Sequence, residues 1–135
     1  MDWKECCSKR IVKDIKLDVA MINSLIESSK NKLESESILE MSKITASSKV
    51  SLVYDSLREL LEAIAIKKGY KIYNHECYTA FLKEILKDSN KGDKFDEIRK
   101  IRNDINYYGK KVLPEEAKEV ILNIKNLINN LEKCL

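Results

Sequence analysis

One proline and three glycines in 135 residues leave little provision for tight turns, which argues against β-sandwiches and Rossmann-like folds and in favour of long helices. No apolar run approaches the roughly 20 residues that span a bilayer, and the opening MDWKECCSKR lacks the apolar stretch of a secretory signal. The expectation is a cytoplasmic protein with no membrane partner. Glutamine is absent, and histidine occurs once, as His75. The four cysteines, Cys6, Cys7, Cys77 and Cys134, show no CxxC spacing; in a cytosolic chain they read as free thiols. A metal site built from His75, Cys77 and the Cys6–Cys7 pair is disfavoured, because residues two apart on a helix point about 200° away from each other. No metal and no cofactor is expected.

What is present is 44% hydrophobic and 35% charged, the composition of a helical protein, at a length that suits one domain over residues 1–135. The net charge of +3 is too small for the whole surface to attract nucleic acid, but it is unevenly placed. Arg99, Lys100, Arg102, Lys110 and Lys111 against Asp104 give residues 99–111 a charge of +4, so the rest of the chain sums to −1. A basic, solvated helix face and an anion-binding patch both fit that distribution.

Hydrophobic spacing predicts five amphipathic segments. Ile11, Ile15, Val19, Ile22 and Ile26 predict a first helix over residues 8–35; the Ser-rich stretch after it leaves residues 36–46 open between helix and loop. Val50, Val53, Leu57, Leu60, Leu61 and Ile64 predict a second over 47–68, stopped by Gly69. Asn74 is expected to cap a shorter third helix carrying Tyr78, Phe81, Leu82 and Ile85, with DSNKGD at 88–93 as a turn. Asp93 is expected to cap a fourth, running through Phe95, Ile98, Ile101, Ile105 and Tyr108 to Gly109. Pro114 suits the first turn of a fifth that buries Val120, Ile121, Ile124, Leu127, Ile128 and Leu131. Together these describe an all-α, antiparallel bundle of four to five helices.

On the fourth helix Arg102 lies beside the apolar row of Ile98, Ile101 and Ile105, where an unpaired guanidinium is costly to bury. Arg102 and Asn106 share one face, and Asn103 and Tyr107 the neighbouring one. Either Arg102 lays its stem along the core and puts its head in water or on a helix carbonyl, or it serves an anion.

IRNDINYYG, preceded by YKIYNHECYTAFLKEI and by SSKVSLVYDSLRELLEAIAIKKGY, resembles the HEPN family, the helical nucleotide-binding domains of higher eukaryotes and prokaryotes, over about residues 45–131. The resemblance implies a bundle that forms a homodimer through the helix bearing the Arg motif. Many members are metal-independent endoribonucleases, and others are partners of small nucleotidyltransferases in toxin–antitoxin systems. By this resemblance Arg102 takes the motif Arg place and Asn103 the polar place, while the motif His falls at Tyr107. Metal-free RNA cleavage needs a base, an acid and a cation for the charged phosphorane. Arg102 can supply the cation, but a tyrosine hydroxyl holds its proton at neutral pH, and removing it costs roughly 4 kcal/mol. Tyr107 could still act as an acid, a hydrogen-bond donor or a stacking surface. His75, at the start of the third helix, reads as a capping or inter-helix hydrogen-bonding residue.

Three readings follow. The first is a dimeric module binding RNA or nucleotide through Arg102, Asn103, Asn106, Tyr107 and Lys110, with a nucleotidyltransferase as protein partner. The second is a toxin-like endoribonuclease using Arg102 and Tyr107. The third is a structural interaction protein in which Arg102 meets Asp104 or Glu97 of another chain.

Overall fold

The computed structural model describes residues 1–135 and is an all-α bundle of six helices with one two-stranded sheet. At its centre is α3, Ala46–Lys67, buried on almost every side; Val53, Tyr54, Leu57, Leu61 and Ile64 are wholly inaccessible. A helix buried on most of its faces is enclosed by its neighbours, and the charged groups it buries, Lys49, Glu59 and Glu62, are paired there. Two long helices pack on it: α2, Val19–Ile38, and α6, Pro114–Glu132, which turns Ile121, Ile124, Leu127, Ile128 and Leu131 inward. Gly69 takes φ +93°, a conformation that glycine adopts without strain, and so ends α3 where the spacing predicted. Gly109, at φ +61°, does the same for α5, Ser89–Tyr108, with the Lys110 N–H reaching back to the Asp104 carbonyl at 3.2 Å.

The N-terminal region departs from the predicted first helix. It holds a short α1, Trp3–Ser8, a strand β1, Val12–Asp14, and only then α2. β1 pairs antiparallel with β2, Tyr70–Ile72, in the register Val12↔Ile72 and Asp14↔Tyr70. Ile11 and Ile15, which flank β1, are spaced by four, an even interval that one face of an extended chain also satisfies, so helical spacing alone misled there. Residues 39–45 form the loop between α2 and α3, with Thr45 Oγ1 accepting from the Ser42 N–H at 2.9 Å.

The third helix has the predicted extent but is less regular. α4, Glu76–Ala80, passes into a π-helical turn over Phe81–Ile85, where the Leu86 N–H bonds the Phe81 carbonyl at 3.0 Å. Asn74 does accept from the first turn, through the Glu76 N–H at 2.8 Å. DSNKGD is not a turn but the opening of α5, capped by Asp88 rather than Asp93: Asp88 Oδ1 accepts from the Lys91 N–H at 3.0 Å. Asp93 lies on the helix surface, paired with Lys83 at 2.7 Å.

The reading of four free thiols is corrected. Cys6 of α1 and Cys77 of α4 form a disulfide within the core, leaving Cys7 and Cys134 free. With Cys6 and Cys77 bonded to each other, neither sulfur can ligate a metal.

The seam between α2 and α3 is polar as well as apolar. Glu36 is buried between Lys49 at 2.8 Å and Lys125 of α6 at 2.6 Å, and Glu59 meets Lys32. Burial alone would push the Glu36 carboxyl up, but the hydrogen bonds and charges of Lys125 and Lys49 outweigh it and hold the group below the usual carboxylate range. No helix is long and apolar enough to cross a membrane.

Candidate functional site

Arg102 is mostly withdrawn from solvent but keeps an accessible edge. Its side chain is 18% exposed and folds inward from α5 onto α3, where the guanidinium carbon sits 5.2 Å from the centre of the Tyr54 ring. The nearest carboxylate, Asp55, lies at 4.0 Å, the outer limit of an ion pair. Asn106 shares this face, as the spacing predicted. A guanidinium offers only donors, so the carboxamide oxygen belongs inward, where it accepts from Arg102 Nε at 2.9 Å and Nη2 at 3.0 Å.

Tyr54 holds the site together from below. Its ring is fully buried and stacks on Phe95 at 6.2 Å, and its hydroxyl is 3.0 Å from His75 Nδ1. Burial pushes the Tyr54 hydroxyl up to about 12, against the pull of Arg102, Arg99 and Arg58. His75 thus makes the inter-helix hydrogen bond expected of it, but it does so within the arginine cluster. Burial, then the fields of Arg58 and Arg102, push its pKa below the ordinary imidazole value, so the ring is neutral in the free protein near pH 7.

Around this centre the cations outnumber the carboxylates. Glu62 is shared by Arg58, at 3.2 Å, and Lys71. Asp96 is shared by Arg99 at 2.8 Å and Lys100 at 3.1 Å, and also accepts from Thr79 Oγ1 at 3.3 Å. Arg102 has only Asp55. Five cations thus face three carboxylates, a surplus of two. Arg99 and Lys100 also line a groove of about 680 Å³ between α4, α5 and the N-terminus, where Lys83 joins them opposite the carboxylates of Asp2, Glu76, Glu84 and Asp96. A second groove of about 570 Å³, between α5 and α6, has an apolar floor of Ile98, Ile101, Val120 and Leu127 and polar walls that include Lys94, Lys100, Asn123 and Asn126, and it does not include Arg102.

The other predicted site residues are elsewhere on α5. Tyr107 is 73% exposed and lies five residues beyond Arg102, about 140° round the helix, so the two do not meet within one chain. Asn103 lies between these faces, half-buried, and Lys110 is exposed beyond the helix end. Tyr54, Asp55 and Arg58 were not singled out from the sequence. The one available signal was the i, i+4 spacing of Tyr54 and Arg58, with Asp55 between them, on the helix that carries the densest apolar spacing.

Acid should weaken this fold in two stages. His75 and Asp96 both have folded-state pKa values below their ordinary ones; for Asp96 burial pulls upward, but the hydrogen bonds from Arg99 and Lys100 prevail. In each case the unfolded chain binds its proton first as pH falls, so the stability these groups contribute is present at neutral pH and lost on acidification. The His75 part goes below its ordinary 6.5, and the parts of Glu36 and Asp96 below 4.5 and 3.8. Thermal melts taken from about pH 8 down to about pH 3 are expected to show both stages, with His75→Asn removing only the upper one.

No protein-family model, curated protein or solved structure matches the chain. Its class therefore rests on its own geometry: a helical bundle with an arginine-rich polar cluster where α3, α4 and α5 meet.

Proposed function

We propose that the protein is a HEPN-like module that binds RNA or nucleotide, acting as a homodimer through α5 and accompanying a small nucleotidyltransferase of the toxin–antitoxin kind. The observation that carries the reading is Arg102: a guanidinium braced by Tyr54 and Asn106, with no carboxylate nearer than 4.0 Å, inside a cluster with two surplus positive charges. Such a group is preorganised for phosphate, which guanidinium recognises by paired, charge-assisted hydrogen bonds. The order of long helix, His-bearing helix start and Arg helix supports the HEPN resemblance. Pairing through α5 is supported by Ile101, Tyr107 and Tyr108, which remain exposed on it.

The test is binding of single-stranded RNA and of nucleotides at several salt concentrations. Arg102→Ala is expected to weaken RNA binding by about 2 kcal/mol, roughly thirty-fold, and to lower the salt slope by about one. If neither RNA nor nucleotide binds in a salt-dependent way, the reading is wrong. Should Arg102→Ala instead dissociate a dimer without touching any ligand, the interaction-protein reading replaces it.

An endoribonuclease is the second reading, favoured by a neutral imidazole in the same cluster as Arg102. It demands cleavage of single-stranded RNA in EDTA that disappears with Arg102→Ala.

A further inference from the structure

His75 is anchored through one nitrogen and free at the other. The only hydrogen bond of the Tyr54 hydroxyl within the protein is to His75 Nδ1, at 3.0 Å. Since that hydroxyl keeps its proton, its best use is as donor, which makes Nδ1 the acceptor and places the ring hydrogen of the neutral imidazole on Nε2. Nε2 has no partner in the protein. The charged groups facing the ring are Asp55 and Arg58 from α3 and Arg99 and Arg102 from α5. On its own element Glu76 follows it, held by the N-terminal amine at 3.8 Å. Three guanidiniums against one nearby carboxylate oppose a further positive charge on the ring while the site is empty.

An anion among those guanidiniums reverses the balance. We propose that a phosphodiester bound at Arg102 draws a proton onto His75, so that the imidazolium becomes a switchable cation of the site and binding is coupled to proton uptake. The inference rests on the RNA-binding reading. The proton comes from solvent and adds to Nδ1. The Tyr54 hydroxyl then turns from donor to acceptor, and the Nε2–H, which no protein group engages, becomes a donor on a full cation among the guanidiniums. No covalent bond of the ligand is made or broken. His75 is here a binding residue whose charge depends on occupancy, and the effect favours ligands that carry negative charge over neutral nucleosides.

The probe is an oligouridylate without terminal phosphates, whose diesters and bases do not titrate where imidazole does. Calorimetry in two buffers of different ionisation enthalpy is expected to show proton uptake of up to about half a proton per site, with affinity rising as pH falls through about 6.5. Because the chain has one histidine, its ring resonance reports alone, and its titration midpoint is expected to rise by about one pH unit on saturation, a tenfold preference of the ligand for the charged form. His75→Asn is expected to bind the probe more weakly with no proton uptake, and His75→Gln serves as a second variant if the first is unstable. Binding with no uptake, or uptake unchanged in both variants, overturns the inference and leaves the RNA-binding reading intact. No binding of the probe, by wild type and Arg102→Ala alike, removes the RNA-binding reading and this inference with it.

Discussion

Replacing Cys6 and Cys77 together with alanine is expected to lower the unfolding free energy by about 4 kcal/mol, the chain-entropy value for a loop of this length. The two residues lie 71 apart in sequence, so the bond removes much of the freedom of the unfolded chain. It also holds a piece that could not stand alone. α1 has six residues, far below the length at which an isolated helix is stable in water. Besides the disulfide, α1 is held by Trp3, whose ring meets Tyr70 edge-on at 5.0 Å and Phe81 at 5.8 Å, and whose backbone N–H donates to Glu84 Oε2 at 2.6 Å. Denaturant titration of oxidised wild type against the double variant measures the loss. Cys7→Ser is the control, since Cys7 is exposed and outside the bond. Equal stability of the double variant and wild type, or free thiols at both positions in non-reducing peptide mapping, would contradict the pairing.

Phe95→Ala should cost about as much, near 4 kcal/mol, for a different reason. Phe95 is fully buried, stacked on Tyr54 at 6.2 Å and edge-on to Tyr78 at 6.2 Å, so one ring ties α5 to both α3 and α4. Truncation removes its transfer free energy and leaves a cavity that two rigid aromatic neighbours cannot collapse to fill. Arg102 lies two turns beyond Phe95 on the same face, so the variant should also loosen the contact of the guanidinium with Tyr54. The expected signature is a lowered denaturation midpoint together with a shifted His75 resonance. Ile101→Ala, at a position 37% exposed on the neighbouring face, should cost less than about 1 kcal/mol. Equal costs for the two variants would mean that α5 is not anchored through Phe95.

The helices that carry the bundle were legible because each satisfies a local rule. α3 and α6 have dense apolar spacing, a glycine with positive φ ends α3, and Pro114 opens α6. The start of α5 was misplaced because Asp88 and Asp93 are both competent caps; the choice went to the one with the free Lys91 N–H in reach, while Lys83 took the other. The π-helical turn after α4 left no mark in the apolar pattern, since one extra residue per turn barely shifts the spacing of Tyr78, Phe81 and Leu82.

Composition and periodicity by themselves determined the helical class, the extent of the α3 helix, the shared face of Arg102 and Asn106, and the local excess of positive charge, because these depend on residues within a few turns of one another. Only the tertiary structure decided that Cys6 finds Cys77, that β1 pairs with β2, and that Arg102 leans on Tyr54 beside His75 and not toward Tyr107. Those outcomes join residues from about 20 to about 70 positions apart, and no local preference encodes which distant partner a side chain meets; packing around a shared core does.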